Sequence, residues 1–363
     1  MSTSDLNNKP VLINKDHLFF RVLAFLAVLL AMLAPMFLPG RFYNDARIIT
    51  LDLYNEIGWI DSYPLTMAFY KYTGLRLLPY WLVGFIQLTI LFWALFKIGV
   101  PAGFSRLSLK NALVWISFFI LAIYTSMPSK EFINFLVVAL IPGFLYKNYK
   151  SQSRFAVLSC LLLIVFGLLF RVYFVLIPVL SLLFYGLGKL RLKTKIAFVF
   201  GLGIFAVIVM SLSYSFIKGP YLSEISREAV NNERRFSPEA ASMIEPPLNV
   251  NTWYGEAVSI SYGFFTVNVP VNGLKFLGKP QILAFVIWQL MLFAFLIWGF
   301  ANSLRKQQTY PRMLWIFYFL MAYFIIQGVF EPDLGSAIKH KIGILPLIYV
   351  ALYYDYFRKD IPV

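Results

Sequence analysis

Charge is what this chain has least of. Only 13% of its 363 residues are Asp, Glu, Lys or Arg, against 60% that are hydrophobic, and the mean hydropathy is +0.72. A soluble globular domain is about 25% charged, so a surface facing water on all sides is excluded. Cysteine is almost missing too. The single Cys160 rules out a disulfide within the chain and, inside an apolar run, reads as a small core residue. The two histidines, His17 and His340, are too few for a histidine-rich metal site, and no metal is expected. No P-loop, GxGxxG, HExxH, GxSxG elbow or Cys/His zinc spacing occurs, which removes the common nucleotide, dinucleotide, metalloprotease and serine-hydrolase readings.

What is present is apolar sequence in long blocks. Such runs read as helices crossing a hydrocarbon core of about 30 Å. They do not alternate as barrel strands do, and an open sheet cannot satisfy its backbone in lipid. The expected fold is all-α: a polytopic transmembrane helical bundle of about ten spans, a single integral membrane domain over residues 1–363. The spans fall near 18–38, 79–96, 111–127, 132–146, 155–170, 172–188, 196–217, 281–301, 312–330 and 342–357. The first is too long for the core of a signal peptide and lacks a small-x-small cleavage site, so it reads as a span. The runs 155–170 and 172–188 touch at Arg171 and alternatively form one bent segment.

Charge placement orients these spans. With the N-terminus inside, the inner side collects seventeen Lys and Arg against four acids, and the outer side fourteen against thirteen. Short cation-rich inner loops are the topology signal of membrane proteins, so both termini are expected in the cytoplasm. The same rule accounts for the net charge of +15 without nucleic acid.

Nearly every candidate functional residue then falls outside. The segment 39–78 interleaves charges, Asp45 among them, with Phe42, Tyr43, Tyr54, Trp59, Tyr63 and Tyr70. It reads as a helix lying along the membrane surface, its aromatics serving as interface anchors or as a sugar-stacking face. The segment 218–280 begins with a Glu/Arg mixture suggesting a short helix that ends near Arg235. Its part 252–278 suits an interfacial or re-entrant piece better than a span. MPSKE (Met127–Glu131) joins two spans through a Pro turn. Lys130 there either pairs with Glu131 or neutralises phosphate while Glu131 positions phosphate or a sugar hydroxyl. Arg171, in FRVYF, is an intramembrane cation that either snorkels or binds an anion, and Arg forks grip pyrophosphate oxygens in pairs. Arg234 and Arg235 are either a solvated helix face or further phosphate ligands.

The stretch Phe330–Lys341, FEPDLGSAIKHK, concentrates two carboxylates and three cations between two spans. Pro332 and Gly335 argue against a plain helix, and in a turn Glu331 and Asp333 converge on one pocket. A carboxylate partly withdrawn from water holds its proton more readily and can act as general base; His340 competes for that role.

PSKE between adjacent spans, RVY after a later one, and FEPDLGS…KH before the last span together resemble the Wzy-type bacterial polysaccharide polymerases, which make O-antigen and capsule and are related to the GT-C membrane glycosyltransferases. The resemblance is sharp at these three motifs and extends in pattern to most of the spans. Lys339 stands beside His340 where members often carry Arg. The likeness implies an inner-membrane glycosyltransferase acting at the periplasmic face on undecaprenyl-pyrophosphate-linked oligosaccharides, with no cofactor. A polysaccharide chain-length regulator is a further candidate partner. Glu331, Asp333 or His340 would take the acceptor proton. Arg171, Arg234, Arg235, Lys130 and Lys339 would hold pyrophosphate, and Glu131, Tyr173 and Asp45 would contact substrate. Two other readings stand beside it: a GT-C transferase or ligase using a polyprenyl-phosphate-linked donor, and a flippase or transporter of the same lipid-linked sugar. Transporters usually show paired halves with broken helices and charges near the midplane, and this sequence shows neither.

Overall fold

A helix that is apolar on every side must be kept from water all round, by lipid or by other helices. The helix Pro311–Phe330 meets this condition: each residue from Met313 to Val329 is buried. The computed structural model describes residues 14–53, 57–147, 151–190, 194–235, 242–276, 278–305 and 311–357. Those residues form α1 (Lys15–Phe37), α2 (Asn44–Leu51), α3 (Ser62–Tyr72), α4 (Tyr80–Ile98), α5 (Leu109–Tyr124) and α6 (Lys130–Lys147). There follow α7 (Gln152–Leu169), α8 (Leu176–Gly188), α9 (Lys195–Lys218), α10 (Ala229–Arg234) and α11 (Trp253–Asn268). The C-terminal part holds α12 (Pro280–Arg305), α13 (Pro311–Phe330), α14 (Leu334–Gly343), α15 (Leu345–Leu352) and α16 (Tyr354–Phe357).

The all-helical expectation holds among the described residues, and each of the ten apolar runs is helical. Six helices, α1, α4, α7, α9, α12 and α13, are long and apolar enough to cross a membrane. The pair α14–α15 makes a seventh if it is one broken span, bent by 75°. This is the composition of a multi-pass membrane protein. The helix α5 and the stretch Val172–Gly188 are apolar but shorter, and α6 carries Lys130, Glu131 and Lys147 within its length.

The bundle is organised around α13, which α8, α9, α11, α12 and α15 surround. Apolar burial does not favour helix association inside lipid, so close backbone approach carries much of the packing. At the α11–α13 crossing a Cβ on Gly263 would lie 2.0 Å from the Gly328 carbonyl oxygen, and one on Gly328 would lie 2.6 Å from the Phe264 backbone. Within 252–278, α11 is a 16-residue helix that is not among those long and apolar enough to span, and this contact seats it against α13. The Ser, Gly and Asn that made it look too polar for a span, Ser259, Gly263 and Asn268, face inward and are buried. On the far side α1 packs on α4 and α5, again through a glycine: a Cβ on Gly84 would sit 2.7 Å from the Ser126 carbonyl oxygen.

The segment 39–78 is not one surface helix. It divides into α2, α3 and 3-10 turns at Gly40–Tyr43 and Leu75–Leu77. Asp52 and Asp61 both adopt positive φ, a cost that short polar side chains bear better than most. The middle of the segment 218–280 is tied to the start of α14, with Ile244 N–H donating to Pro332 O (2.8 Å) and Leu334 N–H to Ser242 O (3.2 Å).

In FEPDLGSAIKHK the helix breaks at Glu331–Asp333, around Pro332, as expected, but the chain is helical again from Leu334 and Gly335 does not keep the rest open. Pro332 precedes the cap, where a missing N–H costs nothing. Asp333 caps the helix by accepting from Ser336 N–H (2.8 Å) and Ser336 Oγ–H (2.9 Å), and Gly335 falls in the first turn. The helix stops at Gly343, and Pro346 in the first turn of α15 favours a fresh start over continuation.

Candidate functional site

Two pairs of adjacent residues face each other at one end of the bundle. Lys130 and Glu131 open α6 behind the Pro128 turn, where Glu131 N–H donates to Ser129 Oγ (3.2 Å). Lys339 and His340 lie on α14. Successive helical residues diverge by about 100°, so each pair splits: Glu131 and His340 turn toward each other, Lys130 and Lys339 toward α2 and α3.

The inner set is a chain of four. Arg171 sits in an extended corner between α7 and the 3-10 turn Val172–Val175, and its Nη2 donates to Glu131 Oε1 at 2.7 Å. His340 Nε2 stands 3.7 Å from that same oxygen. Its Nδ1 is 2.7 Å from Glu331 Oε1. Two amides hold the carboxylates. Asn134 Nδ2 donates to Glu131 Oε2 (3.2 Å), and Gln327 Nε2 donates to Glu331 Oε1 (2.9 Å) and to Ala337 O (2.7 Å). Gly343 closes over Glu131: a Cβ there would lie 2.3 Å from both Glu131 Oε2 and Asn134 Nδ2. Glu131, Arg171 and Glu331 are buried. Nη1 of Arg171 and Oε2 of Glu331 are buried with no hydrogen-bond partner among the described residues. A desolvated charge with unused bonding capacity is costly, and that cost is tolerated most often where a site has work to perform.

The outer set centres on Asp45 of α2. Lys339 Nζ pairs with Asp45 Oδ2, Lys130 Nζ stands 3.8 Å from that oxygen, and Tyr63 Oη–H donates to Oδ1 at 2.8 Å. The Lys130 ammonium lies 3.5 Å from the centre of the Tyr63 ring, a cation–π contact. Burial favours the neutral form of Asp45, but the two ammonium groups and their hydrogen bonds outweigh it and hold the carboxyl well below its usual range.

A cavity of about 610 Å³ opens beside the outer set. Its polar wall includes Arg41, Asp45, Tyr124, Ser129, Asp333 and Lys339, and its apolar wall Phe37, Ile123, Met127, Ile282, Phe285 and Val286. This amphipathic lining suits a ligand with a charged head and a greasy body.

The sequence candidates separate accordingly. Lys130, Glu131, Arg171, Glu331, Lys339 and His340 come together with Asp45, although 40 residues part Arg171 from Glu131 and 294 part Lys339 from Asp45. Tyr173 lies beside them, its ring stacked on Phe330 at 5.1 Å. Asp333 does not converge with Glu331: it caps α14 and borders the cavity, while Glu331 turns into the protein toward His340. Arg235 is exposed at the end of α10, and the side chain of Arg234 is outside the described residues. Sequence reasoning passed over Asn134, Gln327, Arg41 and Gly343. Helical spacing could have found two of them, since Asn134 is three residues beyond Glu131 and Gln327 four before Glu331. No protein-family model, no curated protein and no solved structure matches this chain.

Proposed function

We propose that this protein is a membrane glycosyltransferase of the polysaccharide-polymerase kind, joining undecaprenyl-pyrophosphate-linked oligosaccharide units at the periplasmic face of a bacterial inner membrane, with both termini cytoplasmic. One observation carries the reading: three cations, three acids and a histidine from four separate parts of the chain meet beside an amphipathic cavity of about 610 Å³. A lipid-linked glycan has complementary parts, an anionic pyrophosphate between a hydrocarbon chain and a sugar.

In the reaction the hydroxyl oxygen of the acceptor unit bonds to the anomeric carbon of the growing chain. The bond from that carbon to the pyrophosphate oxygen breaks, and the hydroxyl proton passes to a base. His340 is the base this reading assigns, since Asp333 is occupied in capping α14. With Nδ1–H donated to Glu331, its Nε2 is left to accept the proton, and the resulting imidazolium lies between Glu331 and Glu131. Glu331 orients the ring, as Gln327 orients Glu331. Lys339 and Arg41, on the cavity wall, are the nearest cations to a pyrophosphate held there, and Lys130 supports them. Arg171 acts through Glu131, fixing the carboxylate that faces His340. The donor carries its own leaving group, so the step calls for no nucleotide.

The test is the purified protein with a lipid-linked repeat unit. A ladder of glycans is expected from the wild type and none from Glu331→Ala, Arg171→Ala or His340→Ala in folded form. A single addition to another acceptor would identify a ligase or other GT-C transferase. Transport without a covalent product would identify a flippase, and normal ladders from all three variants would remove the site assignment.

A further inference from the structure

Asp45 stands where an anionic ligand would stand. A single carboxylate takes two ammonium groups, Lys339 through a direct pair and Lys130 at 3.8 Å, and Lys130 is largely buried. Asp45 and Lys339 both border the cavity, as do Ser129 and Arg41. One negative charge against two positive ones leaves an excess that a doubly charged phosphate would neutralise better.

The two sides of this cluster are built differently. Lys130 and Lys339 belong to α6 and α14, which pack against each other and are fixed from below by the buried Glu131–His340 contact. Asp45 belongs to an eight-residue helix that packs mainly on α3 and the turns flanking it. If one member of the cluster yields, it is the carboxylate.

We infer that Asp45 is a built-in competitor for the ligand: a phosphate or pyrophosphate group entering the cavity takes Lys130 and Lys339 from it, and α2 detaches as the ligand binds. The inference rests on the reading above only in taking a pyrophosphate ester as the cavity's ligand. The exchange couples occupancy to the release of α2, since the contacts that tie α2 to α6 and α14 and the bonds that hold the ligand use the same two ammonium groups.

The full chain in detergent is titrated calorimetrically with inorganic pyrophosphate and, separately, with farnesyl pyrophosphate. Asp45→Asn is expected to bind about tenfold more tightly than the wild type, and Lys339→Gln about tenfold more weakly. Tyr63→Phe keeps every charge and loosens Asp45, so its affinity should rise by about threefold. Hydrogen exchange at Asn44–Leu51 in the wild type should quicken when either ligand is added. Unchanged or weaker binding by folded Asp45→Asn overturns the inference. Should that variant fail to fold, unchanged binding by Tyr63→Phe, or slower exchange in α2 on ligand addition, overturns it as well. A gain seen with the farnesyl ester alone assigns the group to a lipid headgroup, and a gain with both assigns it to the pyrophosphate itself. Tighter pyrophosphate binding by Asp45→Asn without a glycan ladder from the wild type would sink the polymerase reading and leave the exchange standing; a ladder with unchanged pyrophosphate affinity would do the reverse.

Discussion

The two ends of the bundle use polar side chains in opposite ways. At the end away from the cavity, they bind backbone. Asp16 accepts from Gly103 N–H (2.7 Å), Ser105 N–H (2.8 Å) and Ser105 Oγ–H (2.6 Å). Asn111 Nδ2 donates to Gly103 O and Arg106 O, while Tyr353 Oη–H donates to Asn111 Oδ1 (2.7 Å) and Tyr349 Oη–H to Gly99 O (2.8 Å). These are fasteners for a loop, close to saturation. At the cavity end charged side chains pair with one another, steadied by Asn134, Gln327 and Tyr63, and Arg171 and Glu331 keep buried atoms unbonded among the described residues. One end is arranged to hold the chain, the other to hold charge.

That contrast is sharpest under mutation. Arg171→Ala strips Glu131 of its partner in a buried setting, and losses of this kind run to about 3–5 kcal/mol. A large fall in the thermal midpoint is expected, with partial recovery in Arg171→Ala/Glu131→Gln, which removes the stranded charge. No recovery would mean that Glu131 is not stranded and that the two ends are alike. Gly343→Ala comes next. Its methyl must displace Glu131 or Asn134, an overpacking cost of about 1–3 kcal/mol, and activity should fall further than stability because His340 moves with α14. Tyr353→Phe, at the opposite end, removes one hydrogen bond worth about 0.5–1.5 kcal/mol; scanning calorimetry should find a modest shift and a glycan assay no change.

The smallest effect is with pH. Asp45 is held below its usual carboxyl range by Lys130 and Lys339. Its contribution is complete above the unfolded value of about 3.9 and is lost as pH falls through the lower folded value. Hydrogen exchange at Asn44–Leu51, corrected for intrinsic rates, should therefore be flat from about pH 5 to 7, rise in strong acid, and rise again above about pH 8, where burial lets Lys130 give up its proton. A rise near pH 6 would point to a histidine as the group that fastens α2.

Much of the helical framework was legible because the apolar runs are long, and a span needs no distant partner to announce itself. The candidates on the charged end were legible one by one, since ionisable residues beside apolar runs are rare. Their pairing was not. Nothing local to Arg171 names Glu131, and nothing local to Lys339 names Asp45. Asp333 misled for a physical reason: a short acid three residues before Ser336 is a helix cap as readily as a base, and its spacing to Ser336 was the available sign. The stretch 252–278 was legible as something other than a plain span, but not its seat against α13, where small residues let the two backbones meet.

The helix at the centre has a consequence for how the protein is made. Almost no face of α13 is left for lipid once the bundle is complete, although an apolar helix can enter the bilayer before its neighbours enclose it. This helix emerges from the ribosome after most of the helices that will surround it. The earlier segments must therefore wait in the membrane, loosely gathered, until this late arrival gives them a common axis, and the charged end takes shape only with the segments that follow.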